Sequence, residues 1–242
     1  MNVQIIHTAI IIFYLEALMT NTPTPIDGTL RKFALRIPPV ISQCSGITIF
    51  GKLYRSIVFS TDLAIIRNIN ADAIMAVYPF TPQPVITQAI ISASDIPVFA
   101  GVGGGLTQGK RVIHMASYAE MQGAIGVVVN APTKNEVIRE LSETIDIPII
   151  VTIAREDTDI YERVESGMRI ANVSAAAETA NVVRKIRRSF PDLPIIATGG
   201  PTEETILETI EAGANAITWT APSSGEIFKS IMAAYRAGES HP

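Results

Sequence analysis

From residue 47 onward, short apolar runs rich in β-branched residues alternate with segments of helical spacing, and no linker breaks the alternation. The runs are "SIVFS" (56–60), "AIMAVY" (73–78), "IPVFA" (96–100), "AIGVVV" (124–129), "IPIIVTI" (147–153), "MRIANV" (168–173), "PIIAT" (194–198) and "NAITWT" (215–220). They are nearly continuous in hydrophobicity, as strands buried on both faces of a parallel sheet are. The segments between them have a helical period. Over 202–212, Ile206, Leu207 and Ile210 share one face beside acidic residues. Over 178–190, Val182, Val183, Ile186 and Phe190 form a stripe, and Arg184, Lys185, Arg187 and Arg188 read as its solvated face. "SDIPVF", "IDIPII" and "DLPIIA" repeat one device, a proline that ends a helix just before a strand. Parallel strands need right-handed helical crossovers, and eight strand–helix units close naturally as a (β/α)8 TIM barrel. A doubly wound open sheet is the alternative. "ITIFGKLYR" before the first unit predicts a hairpin or plug over 47–55. The expected layout is an N-terminal extension over 1–46 and a barrel over 47–238.

Composition narrows the partners. With 17% charged residues and a net charge of −4, the chain offers no basic face for nucleic acid. The lone Cys44 excludes an intramolecular disulfide and any multi-cysteine metal site, and fits the reducing cytoplasm. The apolar N-terminal stretch "IIHTAIIIFYLEALM" is broken by His7 and Glu16, and lacks both the length of a membrane span and the basic start of a signal peptide. It reads as a packed helix or a dispensable extension, with Met19 as an alternative start. No membrane partner is expected, and homo-oligomerisation is left open.

The loop after the third run, "GVGGGLTQGK", contains most of a nucleotide-binding P-loop. A P-loop continues with Ser or Thr, whose hydroxyl holds Mg²⁺, and a later strand ends in Asp. Here Arg111 follows Lys110, and the later runs end near Asn130, Thr152, Asn172, Thr198 and Thr220. Nucleotide hydrolysis is therefore set aside. In a barrel this loop lies on the C-terminal face, where Gly103, Gly104 and Gly105 let backbone amides approach a ligand and Lys110 adds positive charge. A tight turn beside a solvated lysine accounts for the same residues.

The stronger phosphate signal comes later. The seventh run ends in Thr198-Gly199-Gly200 and the eighth in "TWTAPSSG", each followed by a helix. Loops in these two positions are the frequent phosphate grip of barrels, so Gly199, Gly200, Ser223, Ser224 and Gly225 are the expected phosphate ligands. "PIIATGG" followed by "EAGANAI" resembles the closing quarter of the phosphate-binding, aldolase-type TIM barrels. The chain also resembles a bacterial barrel family carried under a generic hydrolase label, through "STDLAIIRN", "GVGGGLT", "PIIATGGPT" and "AGANAI". That label implies no mechanism.

The strand ends decide the chemistry. None is a lysine, which disfavours a Schiff-base aldolase, and no cluster of His, Asp and Glu predicts a metal; no cofactor is expected either. Asp62 is the one carboxylate at a strand end. It is the candidate general base, with a pKa raised by an apolar mouth, or else a helix N-cap. His114, a turn into the third helix, and Lys110 are its candidate partners, although a lone helical His equally suits packing or surface. A phenol's ordinary pKa suits a base at neutral pH poorly, which disfavours Tyr78. Asn130, Thr152 and Asn172 supply neutral hydrogen bonds to a substrate hydroxyl or carbonyl, and also suit helix caps. The expected function is an isomerase, lyase or hydrolase acting on a small phosphorylated metabolite. The alternative is a barrel that binds such a metabolite and regulates, as the glycerol-uptake antiterminator regulators do.

Overall fold

The computed structural model describes Thr24, Ile26, Gly28 and residues 34–240. The chain divides into two compact units, 1–33 and 34–242. The expectations for the apolar N-terminal stretch and for Met19 lie outside the described residues. Among the described residues no helix is long and apolar enough to cross a membrane.

Eight parallel strands close into a barrel: β3 (Ser56–Phe59), β4 (Ala73–Ala76), β5 (Val98–Gly103), β6 (Gly126–Val129), β7 (Ile149–Ile153), β8 (Ile170–Val173), β9 (Ile195–Thr198) and β10 (Ala216–Thr220). They run in sequence order around the barrel, and β10 pairs in parallel with β3 to close it. An open sheet would leave that pair unmade. Each strand is followed by its helix: α1 (Leu63–Ile66), α2 (Pro84–Ala93), α3 (Lys110–Met121), α4 (Asn135–Thr144), α5 (Ile160–Glu165), α6 (Thr179–Ser189), α7 (Glu203–Glu211) and α8 (Ser224–Arg236). Strand β5 extends further than its apolar run, through Gly101 and Gly103, with a register shift between those two glycines where it meets β6.

Before the barrel, β1 (Ile47–Ile49) and β2 (Lys52–Tyr54) form the antiparallel hairpin, turning at Phe50 and Gly51, both with positive φ. The hairpin is a plug. Its Ile47, Ile49 and Tyr54 join the inward-facing residues Ile57, Met75, Phe99, Val128, Ile150, Ile170, Ile196 and Ala216 in one buried cluster. Phe99 is fully buried, with Tyr54 meeting it edge-on at 6.3 Å between ring centroids. A second layer lies between strands and helices, where Val127, Val151 and Ala197 meet Ile138, Leu141, Val183, Ile186 and Ile206.

Arg187 departs from its expected place on the solvated face of α6. Its guanidinium donates to the carbonyls of Pro191 (2.6 Å), Leu193 (2.9 Å) and Gly213 (2.8 Å), and to Asn215 Oδ1 (2.7 Å). Asn215 Oδ1 also accepts from Ile195 N, and Asn215 Nδ2 donates to Ser45 Oγ. One arginine thus satisfies the backbone turns that lead into β9 and β10. Arg184 and Lys185 do pair at the surface, with Glu208 and Glu156.

Candidate ligand site at the barrel mouth

Side chains on a strand alternate between faces. Counting by twos from the inward cluster gives the positions at the C-terminal mouth: Phe59, Val77, Gly101, Asn130, Thr152, Asn172, Thr198 and Thr218. Thr152 and Asn172 are direct neighbours across β7 and β8, and Thr198 and Thr218 across β9 and β10. Asn172 Nδ2 donates to Thr152 Oγ1 at 3.3 Å. The inner wall therefore turns from aliphatic to polar as it approaches the mouth, without acquiring a charge. Thr218 is only 5% exposed, and among the described residues its hydroxyl has no hydrogen-bond partner.

A cavity of about 220 Å³ opens at the ends of β4, β5 and β6, lined by Val77, Tyr78, Gly101, Thr107, Val128 and Asn130 among others. The glycine loop forms one wall, and its glycines divide into two kinds. Gly103 and Gly104 have φ of 135° and 100°, and a Cβ on Gly104 would sit 2.1 Å from Thr133 Oγ1 and 2.8 Å from Asn130 N. These two are required by close backbone packing, with Asn130 N donating to Gly103 O and Gly104 N to Thr107 O. Gly105 is unlike them. Its φ is ordinary, and a Cβ there would meet only the Asn130 side-chain amide, at 4.0 Å. Thr107 is 5% exposed, and its hydroxyl also has no partner among the described residues. The loop that carries Asn130 is braced from α5, since Arg163 donates to the carbonyls of Ala131 and Thr133 and to Asn135 Oδ1.

The expected acid–base group is placed differently. Lys110 and His114 are exposed, and neither lines the mouth cavity. The buried face of α3 is Val112, Ile113, Met115, Ala116 and Ala119, so His114 falls on its outer side. Asp62 is the N-cap of α1. Its Oδ1 accepts from the amides of Ala64 (2.9 Å) and Ile65 (3.4 Å), and its Oδ2 accepts from Ser224 N (3.2 Å) at the start of α8. Hydrogen bonding from Ser224 holds its carboxyl below the ordinary value, the amides of Ala64 and Ile65 add to this, and burial opposes it. This corrects the raised pKa expected of a base. Two helix N-termini use this carboxylate, and each favours its charged form.

The two halves of the expected phosphate grip differ as well. Gly199 and Gly200 line a cavity of about 380 Å³ with Ala176, Thr179, Thr205, Thr209 and the carboxylate-bearing Glu208, which pairs with Arg184; Ser223–Gly225 do not contribute to it. At the start of α8, Ser223 N and Ser223 Oγ both donate to Glu226 Oε2 at 2.8 Å, and Ser224 N serves Asp62. Carboxylates of the chain itself already occupy the leading donors of that helix. Among the residues chosen from sequence, the mouth gathers Asn130, Thr152, Asn172, Gly103 and Gly105. Strand-end reading missed Thr107 and Thr218. Thr218 could have been found by counting back two residues from Thr220 along the inward face, whereas nothing in a loop's sequence signals a buried hydroxyl such as that of Thr107.

No protein-family model matches the chain, and no curated protein matches it in sequence. Solved structures do match in fold. A phosphonopyruvate hydrolase solved with oxalate and Mg²⁺ superposes with a TM-score of 0.57 at 12% identity, covering 76% of this chain and 83% of that one. A 2,3-dimethylmalate lyase of the PEP mutase/isocitrate lyase superfamily gives 0.59 at 14% identity, covering 76% and 81%. A 4-hydroxy-tetrahydrodipicolinate synthase from Methylacidiphilum fumariolicum SolV gives 0.55 at 16% identity, covering 78% and 75%. The chain is thus similar in fold to aldolase-type barrels. Barrels of one architecture host unrelated chemistries, so function has to be argued from the site.

Proposed function

We propose that this barrel is an enzyme of isomerase, lyase or hydrolase type, acting on a small phosphorylated metabolite held at its C-terminal mouth. The observation that carries the reading is the mouth cavity, with its glycine wall and the neutral hydrogen-bonding groups of Asn130, Thr152 and Asn172 beside it. Barrel enzymes place their sites at this end. The hydrolase and lyase among the structural neighbours support a reaction of this type. The phosphate is assigned to the backbone at Gly199–Gly200, because Ser223 N and Ser224 N already donate to Glu226 and Asp62, whereas the one carboxylate beside Gly199–Gly200, Glu208, is paired with Arg184.

The neighbouring hydrolase was solved with Mg²⁺ and oxalate, and a similar metal here would need carboxylate or imidazole donors at the mouth. Among the described residues no group of three or more His, Cys, Asp and Glu could hold a metal ion. The donor set does not fit the ion, and the proposed chemistry is not routed through one.

A second reading has an observation of its own. Among the described residues no Asp, Glu, His, Lys or Arg lines the mouth cavity, and a barrel that binds without turnover needs none. Thermal unfolding across a panel of phosphorylated metabolites, followed by ³¹P NMR of every stabilising compound, separates the two. A ligand at a hundred times its dissociation constant adds about 2.7 kcal/mol to stability. Stabilisation with new phosphorus resonances is the expected result. Stabilisation with an unchanged spectrum would make the protein a binding barrel, and no stabilisation by any phosphorylated compound would remove the proposal.

A further inference from the structure

Buried polar atoms in native proteins are almost always hydrogen-bonded, and an exception calls for an explanation. Among the described residues, the buried side-chain polar atoms without a partner are the hydroxyls of Thr107 and Thr218. Both lie at the same end of the barrel. Thr107 lines the mouth cavity. Thr218 follows Ala216 on the inward face of β10, beside Thr198. Valine has nearly the shape of threonine, so packing alone would be better served by valine at both positions. Around Thr107 the cavity offers the Asn130 amide, the Thr81 and Tyr78 hydroxyls and glycine backbone beside apolar Val77, Phe80 and Leu106, and among the described residues no charged side chain lines it. Thr218 lies outside this lining, on the inner wall next to Thr198.

We propose that the mouth is a metal-independent site for the uncharged, hydroxyl- or carbonyl-bearing end of the ligand, and that the Thr107 and Thr218 hydroxyls are its hydrogen-bonding contacts. The inference rests on the mouth being the ligand site of the proposed function. It goes further by excluding, on the donor set, a carboxylate end held through a divalent ion. A carboxylate carried into this wall would lose its hydration and meet no countercharge, whereas a hydroxyl or carbonyl would find one neutral partner for each of its own groups. Gly105 keeps the approach to the Asn130 amide clear.

The test uses the full chain as wild type, Thr107→Val, Thr218→Val and Thr218→Ser. The probes are glycerol phosphate and dihydroxyacetone phosphate, their unphosphorylated counterparts, inorganic phosphate, and oxalate with and without Mg²⁺. Thermal unfolding and calorimetric titration are read for each. The hydroxy- and keto-phosphates are expected to raise the wild-type Tm equally with and without EDTA. Both valine variants should unfold, ligand-free, at no lower temperature than wild type, and bind roughly three- to tenfold more weakly, the worth of one neutral hydrogen bond. Thr218→Ser keeps the hydroxyl and should keep the affinity. The proposal is overturned if oxalate with Mg²⁺ is the stabilising ligand or if no hydroxy or keto probe stabilises. It also falls if the valine variants bind like wild type, or if they lose stability without ligand, which would give the hydroxyls a structural partner. Failure of the phosphorylated-substrate reading looks different: the unphosphorylated probes would bind as tightly as their phosphates, and the assignment of the two threonines would stand.

Discussion

Asp62 and Gly200 show how one residue can answer to two demands. Asp62 looked like a base because it is the only carboxylate at a strand end, and its alternative as a cap was legible from the apolar helix behind it. The contact that decides between them, Ser224 N to Oδ2, spans 162 positions of sequence and carries no local signal. Asp62→Asn keeps the cap on α1, since Asn caps nearly as well, but turns an N–H toward Ser224 N and removes the charge. The variant should lose about 1 kcal/mol at neutral pH. The sign of its pH dependence follows from the lowered folded pKa. The stabilisation is fully present above the unfolded value, near 4, and is lost as pH falls through the lower folded value. Urea unfolding of both proteins at a series of pH values should show a gap at pH 7 that closes in acid; a gap independent of pH would remove the charge from the explanation. Gly200 is a poorer place to probe an anion. Its φ is 82° and a Cβ would lie 2.6 Å from Thr205 Oγ1, inside the capping box of α7, so Gly200→Asp would disturb the fold before it reported on phosphate.

At the scale of elements, periodicity was a good guide wherever the environment was uniform. Every barrel strand falls on an apolar run, β5 alone running on into its glycines, because a strand covered on both faces must be apolar throughout. The hairpin was legible from Gly51 and its flanking apolar residues, and its role as a plug from its position before the first strand. Periodicity failed at Arg187, because a long side chain can leave a polar helix face and end among backbone carbonyls. The four carbonyl oxygens it serves, on Phe190, Pro191, Leu193 and Gly213, belong to turns that no pattern in α6 announces. Arg187→Met keeps the aliphatic stem and removes these donors. A charge-assisted bond contributes about 1.5–3 kcal/mol, and water can replace part of the set, so the variant should be destabilised by about 2 kcal/mol in chemical denaturation. Arg188→Met on the exposed side of the same helix should change stability by less than about 0.5 kcal/mol. Equal effects would return Arg187 to the solvated face.

The barrel unit is closed twice, by β10 against β3 and by the segment before the hairpin, where Gly46 N donates to Asn215 O. Cys44 sits in that closure. It follows the short 3-10 turn Pro39–Gln43, its carbonyl accepts from Arg55 Nε at 2.9 Å, and the residue is 2% exposed. Burial pushes its thiol up to about 11, against a smaller opposite effect of Arg55. At neutral pH it is therefore both shielded and almost wholly protonated, and the thiolate is the reactive form. Since it is the only cysteine in the chain, a thiol reagent reads one event, the opening of the strap that joins the bottom of the barrel to its last strand. If the strap and barrel form one cooperative unit, labelling in the native state should be slow. Its opening free energy should match the global unfolding free energy from urea titration and fall with urea at the same slope. Ligands that stabilise the mouth should slow it by the same factor by which they stabilise the fold, although the mouth lies at the other end of the barrel. Labelling that ignores both urea and ligand would mean that the strap opens alone and that the barrel stays closed without it.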